Sequence, residues 1–323
     1  MEGVAGERAS VAKSLLVVGS VAFDSVRTPH GEVEDVLGGS AVYFSVAASF
    51  FAPVRLVGVV GEDFPDAFRE VLEARRIDTA GLQVVEGGKT FRWRGSYEGA
   101  MNEARTDEVH LNVFGDFRPA LPKAFRKSQL VFLANGSPVT QMAVLAQVEK
   151  PDLVVADTMN LWIETARDAL VDLLGRVDGL VLNDGEARML TGESNLIGAG
   201  ESILAMGPKF VIIKKGEHGA LVLGHEGPRE RVAEGRLVCP LPGFPCPLVR
   251  DPTGAGDSFA GGIMGSLARE GRYDFAALRR AAAYGTVVAS FTVEDFSLRR
   301  LENLAREEIE GRMKQYSDML RVE

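Results

Sequence analysis

RDPTGAGDSFAGG, residues 250–262, places two aspartates and four glycines directly ahead of an alanine-rich stretch with helical composition. This pattern predicts a helix beginning near Gly254. The first backbone N–H groups of a helix lack intrahelical partners, and together with the macrodipole they form an anion site. Gly254 and Gly256 let the backbone approach an anion with no Cβ in the way, and Ala255 between them carries a further amide. Asp257 falls in the first turn of the same helix, where its carboxylate would repel a phosphate held there. That placement makes sense if Asp257 takes a proton from a hydroxyl attacking the phosphorus, while the amides stabilise the transferring group's charge.

Working outward, short apolar runs alternate with amphipathic segments: LLVVG from Leu15, VRLVGVV from Val54, QLVFLA from Gln129, DLVVAD from Asp152, GLVLN from Gly179 and KFVIIK from Lys209. Runs of this length and β-branched content indicate parallel strands buried on both faces, with crossover helices between them. Residues 81–112 differ, with LQVVEGGKTFRWRGSY and ARTDEVHLN alternating about a Gly-Gly turn. The expectation is therefore a single domain over residues 1–323, a three-layer α/β/α core with a mostly parallel sheet, carrying a small β-sheet lid built from about 26–38 and 81–112. Residues 297–320 read as one long amphipathic helix with a solvated charged face.

Composition narrows the class. The chain has 323 residues, is 46% hydrophobic and has a net charge of −9, which supports a large core and argues against a surface for nucleic acid or other polyanions. Cys239 and Cys246 sit in a proline-rich loop without neighbouring histidines, which fits free thiols in a reducing compartment. The apolar run from Leu15 to Phe23 is too short to span a membrane, and no small-residue cleavage site precedes it. The expected location is the cytoplasm, away from membranes.

Two motifs are set aside. GGKT at residues 87–90 ends like a phosphate-binding Walker loop, but the required first glycine is Gln83 and FRWRGSY follows in place of a helix, so a hairpin turn is expected. GAGDSF is not the dinucleotide fingerprint, because Phe259 stands at the third glycine.

DPTGAGDSFAGG resembles the C-terminal signature of the ribokinase-like (PfkB) carbohydrate kinases, and the resemblance extends from about Ser14 to Asp295. GSVAFD ends in Asp24, where the family holds substrate hydroxyls, and LGGSAVYFSVAA supplies the Gly38-Gly39 pair of the sugar pocket. GVVGEDFPDAF, from Gly58, matches the family's second glycine-acid element. NDGEARMLTG contributes Asn183 and Glu186, which in the family organise magnesium and phosphate through water. KKGEHGALV resembles the strand-turn-strand at the nucleotide pocket, with Lys214, Gly216 and Gly219. Asp251 and Thr253 match positions that help hold a monovalent cation such as potassium, with Thr253 also beside the nucleotide phosphates. The stretch YGTVVAS, residues 284–290, falls where the family packs adenine, although a core helix would read the same.

The chain departs from the family pattern at two places. Tyr43 stands where many sugar-kinase members carry asparagine, which changes that corner of the substrate pocket from amide hydrogen bonding towards stacking or a phenol contact. The Asp-x-Asn-x-Arg element is reduced to Asp157, with Met159 and Leu161 at its later positions, which disfavours an anionic acceptor. The resemblance implies an ATP- and magnesium-dependent kinase acting on a hydroxyl of a small neutral sugar or polyol. A nucleoside kinase of adenosine or cytidine type, an inositol-type kinase and a catalytically silent sugar-binding regulator are the alternatives. On the lid, Arg92 and Arg94 flank Trp93 on the opposite face, and one arginine is a candidate to reach phosphate across a closed site. The apolar lid residues Val84, Phe91, Trp93, Tyr97, Val109 and Leu111 favour a homodimer joined through the lids.

Overall fold

The segment LLVV carries no polar alternation because both of its faces are buried. Leu15 and Val17 enter one core, and Leu16 and Val18 the other. The same division of odd and even residues recurs along the neighbouring strands, so the sheet is covered on both sides. The computed structural model describes residues 12–225 and 236–321. Residues 1–11, which bear on the leader reading, lie outside the described residues.

The strands in chain order are β1 (Leu15–Val18), β2 (Ala22–Thr28), β3 (Gly31–Gly38), β4 (Val54–Gly61), β5 (Asp78–Val85), β6 (Phe91–Ser96), β7 (Arg105–His110), β8 (Leu130–Leu133), β9 (Leu153–Asp157), β10 (Gly179–Asn183), β11 (Phe210–Lys214), β12 (Ala220–His225) and β13 (Arg236–Leu241). The helices are α1 (Ser40–Ser49), α2 (Asp66–Ala74), α3 (Pro138–Leu145), α4 (Asn160–Thr165), α5 (Arg167–Leu174), α6 (Asp184–Thr191), α7 (Leu196–Met206), α8 (Ala255–Glu270), α9 (Phe275–Thr292), α10 (Arg299–Glu302) and α11 (Arg306–Met319).

Nine strands form one sheet in the order β13-β12-β11-β10-β9-β8-β1-β4-β5, parallel except for β12 and β13 at one edge. Helices α1, α8, α9 and α11 pack on one face, and α3 to α7 on the other, giving the expected three layers. Gly261 and Gly262 serve this packing. A Cβ on Gly261 would lie 2.4 Å from the Phe44 carbonyl oxygen, and one on Gly262 would lie 2.9 Å from Gly285 Cα. Strand β1 has β4 on one side and β8 on the other, so the strand order reverses there. The carboxyl ends beside such a reversal form the crevice in which open α/β sheets bind ligands.

The second sheet has the order β3-β2-β6-β7. It differs from the expected lid at residues 81–85, which belong to β5 and pair in parallel with β4 at the edge of the large sheet. Leu82 is buried there while Val84 and Val85 are exposed, and a half-covered edge strand alternates just as a lid strand does. The GGKT turn is accordingly a passage between two sheets and not a hairpin, pinned by Thr90, whose hydroxyl donates to Asp63 Oδ1 at 2.7 Å. The expected long C-terminal helix is also broken. Helices α10 and α11 are separated at residues 303–305, where Leu304 turns into the core and Glu308 reaches back to accept from the Ala305 N–H at 3.0 Å. Among the described residues no helix is long and apolar enough to cross a membrane.

Candidate active site

Helix α8 begins as its sequence requires. Gly254 is the N-cap with φ of 73°, and a Cβ there would lie 2.3 Å from the Tyr43 ring. Both its left-handed backbone and its contact with an aromatic face therefore demand glycine. The Ala255 N–H is already donated to the Pro252 carbonyl at 3.1 Å, whereas the Gly256 and Asp257 N–H groups have no backbone acceptor. The amides left free to meet an anion are thus those of Gly256 and Asp257, and Ala255 shapes the turn.

Asp257 opens towards a cluster of charges drawn from two strand ends and the first turn of α6. Lys214, last residue of β11, places Nζ 3.5 Å from Asp157 Oδ1 at the end of β9. Its ammonium also faces Glu186 and Asp257. Burial works against its charge, but the three carboxylates hold the pKa above the ordinary lysine value. Burial pushes Asp257 up to about 7, with Asp157 and Glu186 adding to the rise and Lys214 opposing it. A carboxylate with a pKa near neutrality is matched to taking a proton from a hydroxyl and releasing it again.

Asn183 and Glu186 meet at the start of α6 in a reciprocal capping box. The Glu186 N–H donates to Asn183 Oδ1, and the Asn183 N–H to Glu186 Oε2, both at 2.7 Å. Burial raises Glu186 to about 7, Lys214 working against the rise and Asp157 adding to it. Gly216 and Gly219, with φ of 56° and 85°, form the turn after β11, closed by Lys215 N–H to the Gly219 carbonyl at 2.7 Å. They set the course of the strand that delivers Lys214.

Across from this cluster, Asp24 of β2 accepts from the Gly39 N–H at 3.3 Å. Glycine is required at both positions of the pair: a Cβ on Gly38 would lie 2.0 Å from Asp24 Oδ2, and one on Gly39 2.5 Å from the Ser20 carbonyl oxygen. Burial raises Asp24 to about 7, against the Gly39 hydrogen bond, with Asp251 and Asp257 adding to the rise. Asp257 is therefore close enough to act on Asp24 electrostatically.

Tyr43 is only 1% exposed and its ring lies beneath Gly254, so the ring offers no open face for the stacking that was one of the two expectations for it. Its position in α1 makes it the floor of the anion loop. Asp251 and Thr253 are buried behind that loop: Asp251 accepts from the Thr253 N–H at 2.9 Å and from the Ser297 N–H at 3.2 Å. Arg92 is held by Asp35 at 2.5 Å and Asp63 at 3.4 Å, and Arg94 by Glu34 at 3.2 Å, so the lid arginines are committed to carboxylates of the lid and, through Asp63 after β4, of the core. Tyr284 at the start of YGTVVAS donates to Glu310 at 2.7 Å.

Tyr97, read from sequence only as lid surface, reaches the anion loop. Its phenol lies 3.3 Å from the Thr253 hydroxyl, and it packs with Val26, Val33 and Phe296. Thr28 of β2 adds a second link, donating to the Arg250 carbonyl at 2.8 Å. Asp157 is the other underestimated residue, since its partners Lys214 and Asp257 come from distant strands and a helix. Neither contact has a local sequence signature.

The model of the pfkB family of carbohydrate kinases matches residues 12–303. The chain belongs to that family. A cytidine kinase from Thermococcus kodakarensis is 30% identical over 260 residues, covering 79% of this chain and 88% of the relative. A nucleoside kinase of Methanocaldococcus jannaschii, a ribokinase-family member, superposes with a TM-score of 0.73 at 18% identity, covering 95% of this kinase and all of the neighbour. A putative ribokinase from E. coli in complex with ATP and magnesium gives 0.75 at 19% identity, with 94% and 99% covered. The kinase thus has the ribokinase-like fold, with its large, mostly parallel sheet and a smaller separate one.

Proposed function

We propose that this kinase transfers the γ-phosphoryl group of ATP to a hydroxyl on the ribose of a nucleoside. The observation that carries the nucleoside reading is the 30% identity to a cytidine kinase over most of both chains. A free sugar or polyol, first in the sequence reading, is the second reading, because Asp24 beside Gly38 and Gly39 would hold the hydroxyls of a free or a base-bearing sugar alike.

Asp24 accepts hydrogen bonds from the acceptor's hydroxyls and orients one of them towards Asp257. Asp257 takes that hydroxyl's proton as its oxygen forms the new bond to the γ-phosphorus and the bond to the ADP leaving oxygen breaks. The Gly256 and Asp257 amides receive the charge on the phosphoryl oxygens, and Lys214 offsets it from the strand side. Magnesium, when bound with the nucleotide, neutralises phosphate charge. Glu186 would hold it through water, since its half-buried carboxylate keeps one oxygen outside the capping box. Asn183 spends its carbonyl oxygen on that box.

Potassium held near Asp251 and Thr253, residence in the cytoplasm and a homodimer joined through the lids belong to the same proposal. For the dimer, every residue of β7 is exposed, and Val109 is 51% and Leu111 48% exposed. Trp93, by contrast, packs within the lid and donates to Thr106 at 3.2 Å. Val109→Asp is then the substitution expected to reduce the mass seen by light scattering. The acceptor is tested by a coupled ADP-release assay over nucleosides, free sugars and inositols. Turnover of nucleosides at least about tenfold above the rest supports the reading, and turnover confined to sugars or inositols overturns it.

A further inference from the structure

At the carboxyl ends of β1 and β8, where the strand order reverses, lies a cavity lined by Gly19, Phe114, Gly136, Thr140, Gln141 and Trp162, with Leu111 at its border. It lies on the α3 face of the sheet and is not part of the charge cluster around Asp257. Two observations say what it accepts.

The first is an aromatic lining. Phe114, Phe117 and Trp162 border the cavity, and Phe114 is steadied by ring contacts with Phe91 and Phe117 at centroid distances of 5.4 Å and 6.2 Å. Trp162 donates its only N–H to Asn135 Oδ1 at 3.0 Å, so its ring has no polar demand left. Walls of this kind suit an aromatic ligand.

The second is an unpaired acceptor. Gln141 is 4% exposed, and its Nε2 donates to the carbonyls of Leu133, Ala134 and Asp157 at 3.1, 3.1 and 3.0 Å. Three carbonyls fix the amide orientation, because the flipped form would set oxygen against oxygen. Gln141 Oε1 is thereby a committed acceptor, and it has no hydrogen-bond partner. A buried acceptor left unpaired is costly, and since Gln141 lines the cavity while Oε1 itself has almost no exposed surface, a small shift of the side chain would bring Oε1 to a donor on a ligand.

We propose that this cavity is the base subsite of the acceptor and that Gln141 selects nucleobases bearing an exocyclic amino group, as cytosine and adenine do. The inference rests on the nucleoside reading above. The subsite adjoins the reacting centre: Gly19 separates the cavity from Ser40, next to the Gly39 that holds Asp24, and the Asp157 whose carbonyl Gln141 grips is the partner of Lys214. A ribose seated at Asp24 leaves its base to extend towards Gln141. The amino group donates to Oε1, whereas an oxo group in its place sets lone pair against lone pair.

The test needs no variant at first: kcat/KM is measured for cytidine against uridine and for adenosine against inosine. A preference of about tenfold or more for the amino member of at least one pair is expected, since a site built to accept a hydrogen bond discriminates strongly against a ligand lacking the donor. Equal use of both members in both pairs overturns the inference and leaves the nucleoside reading standing. Absence of turnover with every nucleoside, while a sugar or inositol is phosphorylated, overturns the nucleoside reading and the inference with it. Gly136→Leu checks the location, because a Cβ there has only the Ala134 carbonyl oxygen within 4 Å, at 3.6 Å, and the added side chain would fill the cavity. Nucleoside KM is expected to rise about tenfold or more with Tm little changed. An unchanged KM places the base elsewhere.

Discussion

At the scale of single residues, the proposed reaction rests on Asp257 and on two glycines with different duties. Asp257→Asn keeps the size of the side chain and removes the base, so kcat is expected to fall by roughly 10²–10⁴ while ATP affinity stays nearly intact. With Asp257 raised to about 7, wild-type kcat/KM should climb through neutrality as the carboxyl ionises. Turnover of the variant within threefold of wild type, read from initial rates, would remove Asp257 from the reaction. Gly254→Ala places a Cβ into the Tyr43 ring and costs about 1–2 kcal/mol for the left-handed backbone alone, so it should lower Tm as well as activity. Gly256→Ala meets only the flexible end of Lys214, at 3.3 Å, and should lose activity while keeping Tm. Equal Tm losses in calorimetry would show that the two glycines share one structural role. Asp257, Asp24 and the glycine pairs were legible in the sequence because their constraints are local: a helix start, a left-handed residue, a close backbone approach. The burial of Tyr43 was not legible, because α1 is enclosed on every side from Ser40 to Ala48 and carries no polar face to announce an orientation.

At the scale of elements, the lid and the anion loop are tied by two direct contacts, Tyr97 to Thr253 and Thr28 to the Arg250 carbonyl, and by one relay: Ser297 donates its hydroxyl to the Leu37 carbonyl at 2.8 Å and its N–H to Asp251 at 3.2 Å. A lid displacement therefore pulls on residues 250–253, immediately before the helix that carries Asp257. Tyr97→Phe removes one hydroxyl and keeps the ring packed against Val26 and Phe296. The expectation is a fall in kcat of roughly 3- to 10-fold, the worth of one neutral hydrogen bond, with Tm and acceptor KM little changed. Combined with Thr253→Val, the losses should be less than multiplicative, because both variants break the same link. Fully multiplicative losses would mean that Tyr97 acts elsewhere. None of this linkage was readable in advance, since it joins segments far apart in the chain. The six buried strands were readable because a strand covered on both faces has a continuous apolar signature. Strand β5 was not, because an edge strand of the core and a strand of the lid are both half covered and alternate alike. The break between α10 and α11 was hidden for a similar reason: charged residues continue across it, and only the burial of Leu304 marks the turn.

At the scale of the whole molecule, the active site gathers carboxyls that the fold would be more stable without. Asp24, Glu186 and Asp257 are each raised to about 7, chiefly by burial, whereas in an unfolded chain they ionise near about pH 4. Between those values the folded protein binds more protons than the unfolded one, so these groups make stability fall as pH rises. Their contribution is fully present below about pH 4 and is lost by the time the folded carboxyls have ionised near 7. Other carboxylates, such as Asp63 with its Thr90 and Arg92 partners, are shifted down and oppose this trend. The contribution of one site carboxyl is therefore isolated by comparison with its amide. Asp257→Asn should gain Tm relative to wild type as the pH of a nucleotide-free sample is raised from about 5 to about 8, because the variant has no charge to bury. Asp24→Asn should behave likewise. A Tm difference that stays constant across that range in scanning calorimetry, or that shrinks, would mean that these carboxyls ionise in the folded protein as readily as in the unfolded chain. Asp257 would then enter the reaction already ionised well below neutrality and could not owe its match to a hydroxyl proton to burial among Asp157, Glu186 and Lys214.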